Sequence, residues 1–294
     1  MTPGYRALKQ GAAWLDLTGR GILFASGSDS ARLLHAMSTN HIQDLEPGAA
    51  CYAFFLNAQG RIQADALILR LDDRFLLDTE PETRERLYRH LDKYIIADDV
   101  TLDDASDRLA VIAVEGPAAP SLALSGEGRI VVAASFTGAP ALRIYLPVEQ
   151  KSALLEQLAA AGVVPASAED AEAVRLENGH PRYGQDIFDM TLPQETQQMH
   201  AVHFQKGCYL GQEIVERIRS RGHVNKLLVR LTLEGSQVPT PGTPLSAEGK
   251  EAGEITSATC SPDLGKVVAL GYVRAAHAAA GTPLQAGDLA ARVV

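Results

Sequence analysis

Beyond Val229 the chain cannot sustain a helix. Pro or Gly recurs every few residues, at Gly235, Pro239, Pro241, Gly242, Pro244, Gly249, Gly253, Pro262, Gly265, Gly271, Gly281, Pro283 and Gly287. Proline removes a backbone donor and clashes with the preceding helical turn, and glycine costs a helix about 1 kcal/mol relative to alanine. Short apolar runs between such residues read as strands, and strands at this spacing suggest a small β-barrel. The barrel is expected over residues 226–294, with its boundary near 225–231.

The preceding residues alternate strand and helix signals, which points to an α+β fold. Ile22 to Ala25 read as a strand and Ser28 to Met37 as a helix capped by Ser28 or Asp29. Cys51–Leu56 and Arg61–Leu71 read as strands joined by the turn Asn57-Ala-Gln-Gly60. In the second of these strands Asp65 shares a face with apolar neighbours. A strand near Phe75–Leu77, a helix from Glu82 to Tyr94 and an acidic connection from Asp98 to Asp107 complete a first unit. A second unit follows, with strands at Leu109–Val114, Ile130–Ala134 and Leu142–Leu146 and a helix over Ser152–Ala161. A further helix is expected over Ala168–Glu177, with Ser167 and Asp170 forming a capping box. The expected organisation is a first unit over 1–107 completed by 168–225, a second over 108–167, and the barrel.

With 294 residues there is ample chain for two or three domains. The net charge of −9 argues against non-specific nucleic-acid binding by the whole surface. The N-terminus reads MTPGYRALKQGAAWLDL, without the pattern of a secretory signal, and no apolar run approaches membrane-spanning length. Cys51, Cys208 and Cys260 are odd in number and far apart, which fits a reducing cytoplasm and supplies neither a disulfide framework nor a metal pair. His200 and His203 lie close before Cys208, but no fourth ligand is evident, so ordinary packing is the reading and no metal is expected.

Residues 206–213, Lys-Gly-Cys-Tyr-Leu-Gly-Gln-Glu, carry the most chemistry. The apolar spacing of Ile214, Val215 and Ile218 predicts a helix just after them. Its positive end and Lys206 would both favour the thiolate of Cys208, and Gly207 and Gly211 allow sharp turns. Lys206 and Cys208 are therefore the catalytic candidates, against the alternative of an inert buried cysteine. Residues 206–230 carry a local balance of +4, from Lys206, Arg217, Arg219, Arg221, Lys226 and Arg230 against Glu213 and Glu216. This stretch is either a solvated helix face or the footprint of an anionic partner: the acidic tail of a small ligand, an acidic protein face or RNA. RNA fits least, since the aromatic residues that stack on single strands are not interleaved.

The octet resembles the signature of the YgfZ family, folate-binding proteins that support iron–sulfur enzymes, within the superfamily of the glycine-cleavage T-protein, the aminomethyltransferase. The segments Met37-Ser-Thr-Asn40 to Gly48, Leu56-Asn-Ala-Gln-Gly60-Arg61 to Asp65, Arg175-Leu-Glu177, Tyr183-Gly-Gln-Asp186, Leu192-Pro-Gln-Glu195 and Ala269-Leu-Gly-Tyr272 are similar to superfamily motifs. The resemblance implies two ferredoxin-like halves around a central channel for tetrahydrofolate, capped by the barrel. It implies cofactor contacts from Asp65, which would hydrogen-bond the pterin or be a satisfied strand residue, and from Glu195, which would touch ligand or bond backbone amides. Tyr183 and Tyr209 would stack on the pterin or fill core, and Arg217, Arg219 and Arg221 would meet the folate tail.

One departure matters. The transferase motif ending in a pterin-binding glutamate is matched here by Phe136-Thr-Gly-Ala-Pro-Ala-Leu-Arg143, which ends in a guanidinium that only donates. The expectation is accordingly a folate-binding accessory factor for iron–sulfur cluster assembly or repair. Iron–sulfur carriers or client enzymes would be its partners, and Cys208 would transiently share a cluster with one of them. The alternatives are a tetrahydrofolate-dependent aminomethyltransferase or demethylase, and a tRNA-modification accessory protein.

Overall fold

A computed structural model describes residues 1–294. Its class is α+β with a closed C-terminal barrel, as expected. The contacts divide the chain into two units, one made of Thr18–Ala110 and Ile187–His223, the other of Met1–Leu17, Val111–Asp186 and Val224–Val294.

The first unit is built on a five-stranded antiparallel sheet in the order Ala50–Leu56, Ile62–Arg70, Arg74–Thr79, Gly21–Ser26, Thr101–Asp104. Helices Ser30–Met37 and Arg84–Asp92 bury their apolar stripes on one face, where Leu33, Leu34, Leu87 and Leu91 meet Ala64, Ala66 and Ile68. Because strand side chains alternate, the other face of Ile62–Arg70 carries Gln63, Asp65 and Leu67. The hairpin turn closes as expected: Asn57 N–H donates to the Arg61 carbonyl at 2.9 Å, and Gly60 takes φ +71°. Thr101–Asp104 was expected as a connection and is instead the edge strand. Its acidic side chains are held by arginines outside it, with Asp104 2.6 Å from Arg84 and Asp103 paired to Arg108. No local pattern announces those partners.

The second unit has a sheet in the order Val164–Pro165, Ala13–Asp16, Leu109–Glu115, Ala141–Pro147, Ile130–Val132. Its barrel runs Lys226–Leu233, Lys266–Arg274, Lys250–Ser261, Pro244–Ala247, Pro283–Ala286, Leu289–Val293 and closes back on Lys226–Leu233. Leu231, Leu245, Ile255, Val267 and Val293 fill its interior. Gly253 is required there, since a Cβ would lie 1.9 Å from the Tyr272 carbonyl oxygen.

The sequence grouped 168–225 with the first unit, whereas the contacts divide that stretch between Asp186 and Ile187. The reason is visible in the helix Ala168–Glu177, which packs on the N-terminal helix Pro3–Gln10 and on the barrel. Tyr5 donates its hydroxyl to Glu177 at 2.5 Å, Ser261 donates to the same oxygen at 2.6 Å, and Arg230 donates to the Glu177 carbonyl at 2.6 Å.

Candidate functional site

The polar face of the first unit's sheet is organised around Asp65. Across the hairpin Phe54 pairs with Asp65, so Tyr52 lies diagonal to it on the same face. The Tyr52 hydroxyl donates to Asp65 Oδ2 at 2.6 Å. Burial pushes the Asp65 carboxyl up to about 6, with Glu80 adding to the rise and Tyr52 and Arg20 opposing it. Arg20 is itself buried, paired with Asp78 and 2.5 Å from Glu80. Tyr52 in turn stacks on His200, with ring centroids 5.6 Å apart, and burial holds that hydroxyl protonated. Asp65, Tyr52, His200 and the Arg20–Asp78–Glu80 group thus form one connected polar cluster. Of these only Asp65 was a candidate from sequence. The hairpin register could have named Tyr52; Arg20 and Glu80 lie just outside the neighbouring strands Gly21–Ser26 and Arg74–Thr79 and leave no local trace.

The octet lies in the same unit. Its two glycines both have positive φ, +67° at Gly207 and +83° at Gly211. A Cβ on Gly211 would sit 2.6 Å from the Asn57 carbonyl oxygen, and one on Gly60 would sit 2.8 Å from Ile214. The hairpin tip and the start of the helix Gln212–Arg221 therefore meet glycine to glycine. Cys208 is exposed, four residues before that helix. Lys206 does not turn toward it. Its ammonium is buried and donates to the carbonyls of His35 and Ser38, the latter at 2.6 Å. Burial pulls it down to about 7, while the two carbonyl acceptors favour the charged form. Half-buried Cys51 is raised to about 11 by burial, against the pull of Lys206, so its thiol stays protonated at neutral pH.

The remaining candidates separate. Tyr209 is buried beside Lys206, whose nitrogen is 5.1 Å from its ring centroid, and its hydroxyl is buried without a hydrogen-bond partner. Glu195 accepts from the Leu192 N–H at 2.8 Å and lies 4.0 Å from Arg61, the backbone-bonding arrangement of the two expected for it. Tyr183 is buried in the other unit. Arg143 is buried there too, donating to the Ser135 carbonyl at 3.1 Å. The basic stretch is largely spent on internal partners. Arg217 pairs with Glu213 at 2.9 Å, and Arg219 pairs with Glu216 at 3.5 Å and lies 4.3 Å over the Phe204 ring. Lys226 lies 4.4 Å over Tyr272 in the barrel unit, leaving Arg221 as an exposed cation at the helix end. The helix end thus carries far less free charge than the sequence balance suggested.

Comparison with known proteins gives these sites a setting. Residues 3–125 match the family model described as the GCVT N-terminal domain, and residues 226–294 match the glycine cleavage T-protein C-terminal barrel domain. The chain is similar to an aminomethyltransferase of Rubrobacter xylanophilus, 30% identical over 92% of this chain and 78% of the relative. It is also similar to one of Rippkaea orientalis, 29% identical over 96% of this chain and 83% of the relative. Among solved structures, the glycine cleavage system aminomethyltransferase T from Bartonella henselae shares the fold, with a TM-score of 0.88 over 99% of this chain and 87% of that one at 21% identity. No helix is long and apolar enough to cross a membrane.

Proposed function

We propose, from the premise that the chain belongs to the glycine cleavage T-protein family, that it binds a reduced folate and serves in one-carbon transfer. The observation that carries this reading is Asp65, a buried carboxyl raised to about 6 whose side-chain donor is the Tyr52 hydroxyl. A buried carboxylate calls for further donors. A pterin offers an amino group and a ring N–H, and pairing with them would restore the ionised form. Tetrahydrofolate, when bound, supplies the amine that accepts a one-carbon unit. Tyr52 fixes the carboxyl, and His200 fixes the Tyr52 ring. The relatives named aminomethyltransferase support the reaction class. Arg143, donor-only and turned onto the Ser135 carbonyl, takes the place of the pterin-binding glutamate in the transferase motif, so the pterin's donors are expected to rely on Asp65 rather than on that position.

A second reading rests on a different observation. Cys208 is an exposed thiol on a turn shaped by two positive-φ glycines, in the stretch between the two family-model matches. That supports the YgfZ-type role, a folate-binding accessory factor for iron–sulfur enzymes in which the thiol meets a partner's cluster. Calorimetric titration with tetrahydrofolate tests the shared premise, since no heat of binding at neutral pH would sink both readings. Turnover with tetrahydrofolate and a methylamine-type donor supports the transferase. Loss of iron–sulfur enzyme activity in cells carrying Cys208→Ala supports the accessory role.

A further inference from the structure

The segment 203–210 completes the C-terminal end of the helix Ser30–Met37. The last carbonyls of an α-helix have no partner within it and must be satisfied from outside. Here the Ala36 carbonyl accepts from the Leu210 N–H at 3.0 Å, and the His35 and Ser38 carbonyls accept from Lys206 Nζ. One residue further, the Thr39 carbonyl accepts from the His203 N–H at 2.9 Å. The Lys206 ammonium therefore sits at the negative end of the helix dipole, where a cation is stabilised. Between these anchors the chain turns outward at Gly207, and Cys208 is exposed.

We propose that Lys206 is a positioning residue: it anchors the Gly207–Gly211 turn on the end of the helix Ser30–Met37, and presents Cys208 outward without lending its charge to the thiolate. This deepens the second reading above and rests on it for the claim that the thiol works in the cell. Two of the three ammonium hydrogens are committed to carbonyls, and the helix end offsets part of the positive charge. What remains reaches a thiol bathed in water and salt, which screen it. Geometry, not field, is then the means by which this lysine acts.

Lys206→Met keeps the stem and removes the donors, whereas Lys206→Gln keeps an amide donor without charge. Three readings on the full chain separate the possibilities. Amide hydrogen exchange at Leu210 and His203 reports the anchor, the pH–rate profile of iodoacetamide labelling at Cys208 reports the thiolate, and iron–sulfur enzyme activity in cells reports the function. Lys206→Met should speed exchange at Leu210 by about tenfold or more, leave the midpoint of the Cys208 profile in place, and lower activity in cells. Lys206→Gln should recover part of both protection and activity; should Lys206→Met fail to fold, Lys206→Gln against the parent carries the same readings. A profile displaced by about one pH unit toward alkaline, with Leu210 still protected, would overturn the proposal. So would equal loss of protection in the two variants. Full activity with Cys208→Ala would instead remove the second reading, while the exchange data still judge the anchor.

Discussion

At the scale of single residues, Asp65 ties structure to ligand through its protonation. Its folded value of about 6 lies above the ordinary 3.8. A raised acid contributes stability that is fully present below the ordinary value and lost as pH rises through the folded one. Between about pH 4 and pH 6 the unliganded protein should therefore lose on the order of 3 kcal/mol through this group, and Asp65→Asn should flatten that slope. Urea unfolding at a series of pH values reads both. A donor-bearing pterin should bind the carboxylate better than the acid, so folate affinity should rise with pH across the same window. Asp65→Asn should cost about 1–3 kcal/mol of binding at pH 7.5 and little at pH 5. An unchanged affinity at pH 7.5 would place the pterin elsewhere. Asp65 was legible because an acid on an apolar strand stands out. Lys206 was legible as important but not in its role: its acceptors lie on a helix about 170 positions earlier in the chain, and proximity in sequence pointed to Cys208.

At the scale of elements, the approach of hairpin tip to helix start sets how the Asp65 strand and the Cys208 turn are held in one unit. Gly211→Ala would combine a positive φ with a Cβ 2.6 Å from the Asn57 carbonyl oxygen. Gly48 has a similar φ of +85° but open space around it. Gly48→Ala should cost about 1 kcal/mol from backbone conformation alone, and Gly211→Ala clearly more, because a carbonyl cannot swing aside as a side chain can. Thermal unfolding of the two variants side by side measures the contribution of close approach; equal losses would show that the turn tolerates it. Elements with local signals were read well. The helix Ala168–Glu177 has the expected limits because its capping box, Ser167 with Asp170, is written in adjacent residues. The strand Thr101–Asp104 was missed because its acids look like a loop until Arg84 and Arg108 are placed beside them.

At the scale of the whole molecule, Asp186 joins distant parts of one unit. It accepts from Arg175 at 2.6 Å, from the Arg182 N–H at 3.1 Å, and from Thr256 and Ser257 of the barrel at 2.6 Å each. Asp186→Ala would strand the fully buried Arg175 guanidinium without one of its carboxylate partners, and should cost about 3–5 kcal/mol in chemical denaturation. A loss below about 1 kcal/mol would mean that Glu172 alone satisfies that guanidinium. The barrel was readable from its Pro and Gly spacing, but the division of the chain was not, because neither unit is continuous in sequence. That discontinuity bears on how the protein is made. The strand Ala13–Asp16 pairs with Leu109–Glu115 on one side and Val164–Pro165 on the other, and Tyr5 pairs with Glu177, so during synthesis this strand waits for about 100 further residues before its first partner and about 150 before its second. At about 5–20 residues per second the longer wait is roughly 8–30 s, during which one edge of that strand is unpaired. The family-model match ending at residue 125 does not mark a point where synthesis could pause on a finished domain. Nascent chains of this protein are expected to lean on chaperones until the central helix emerges.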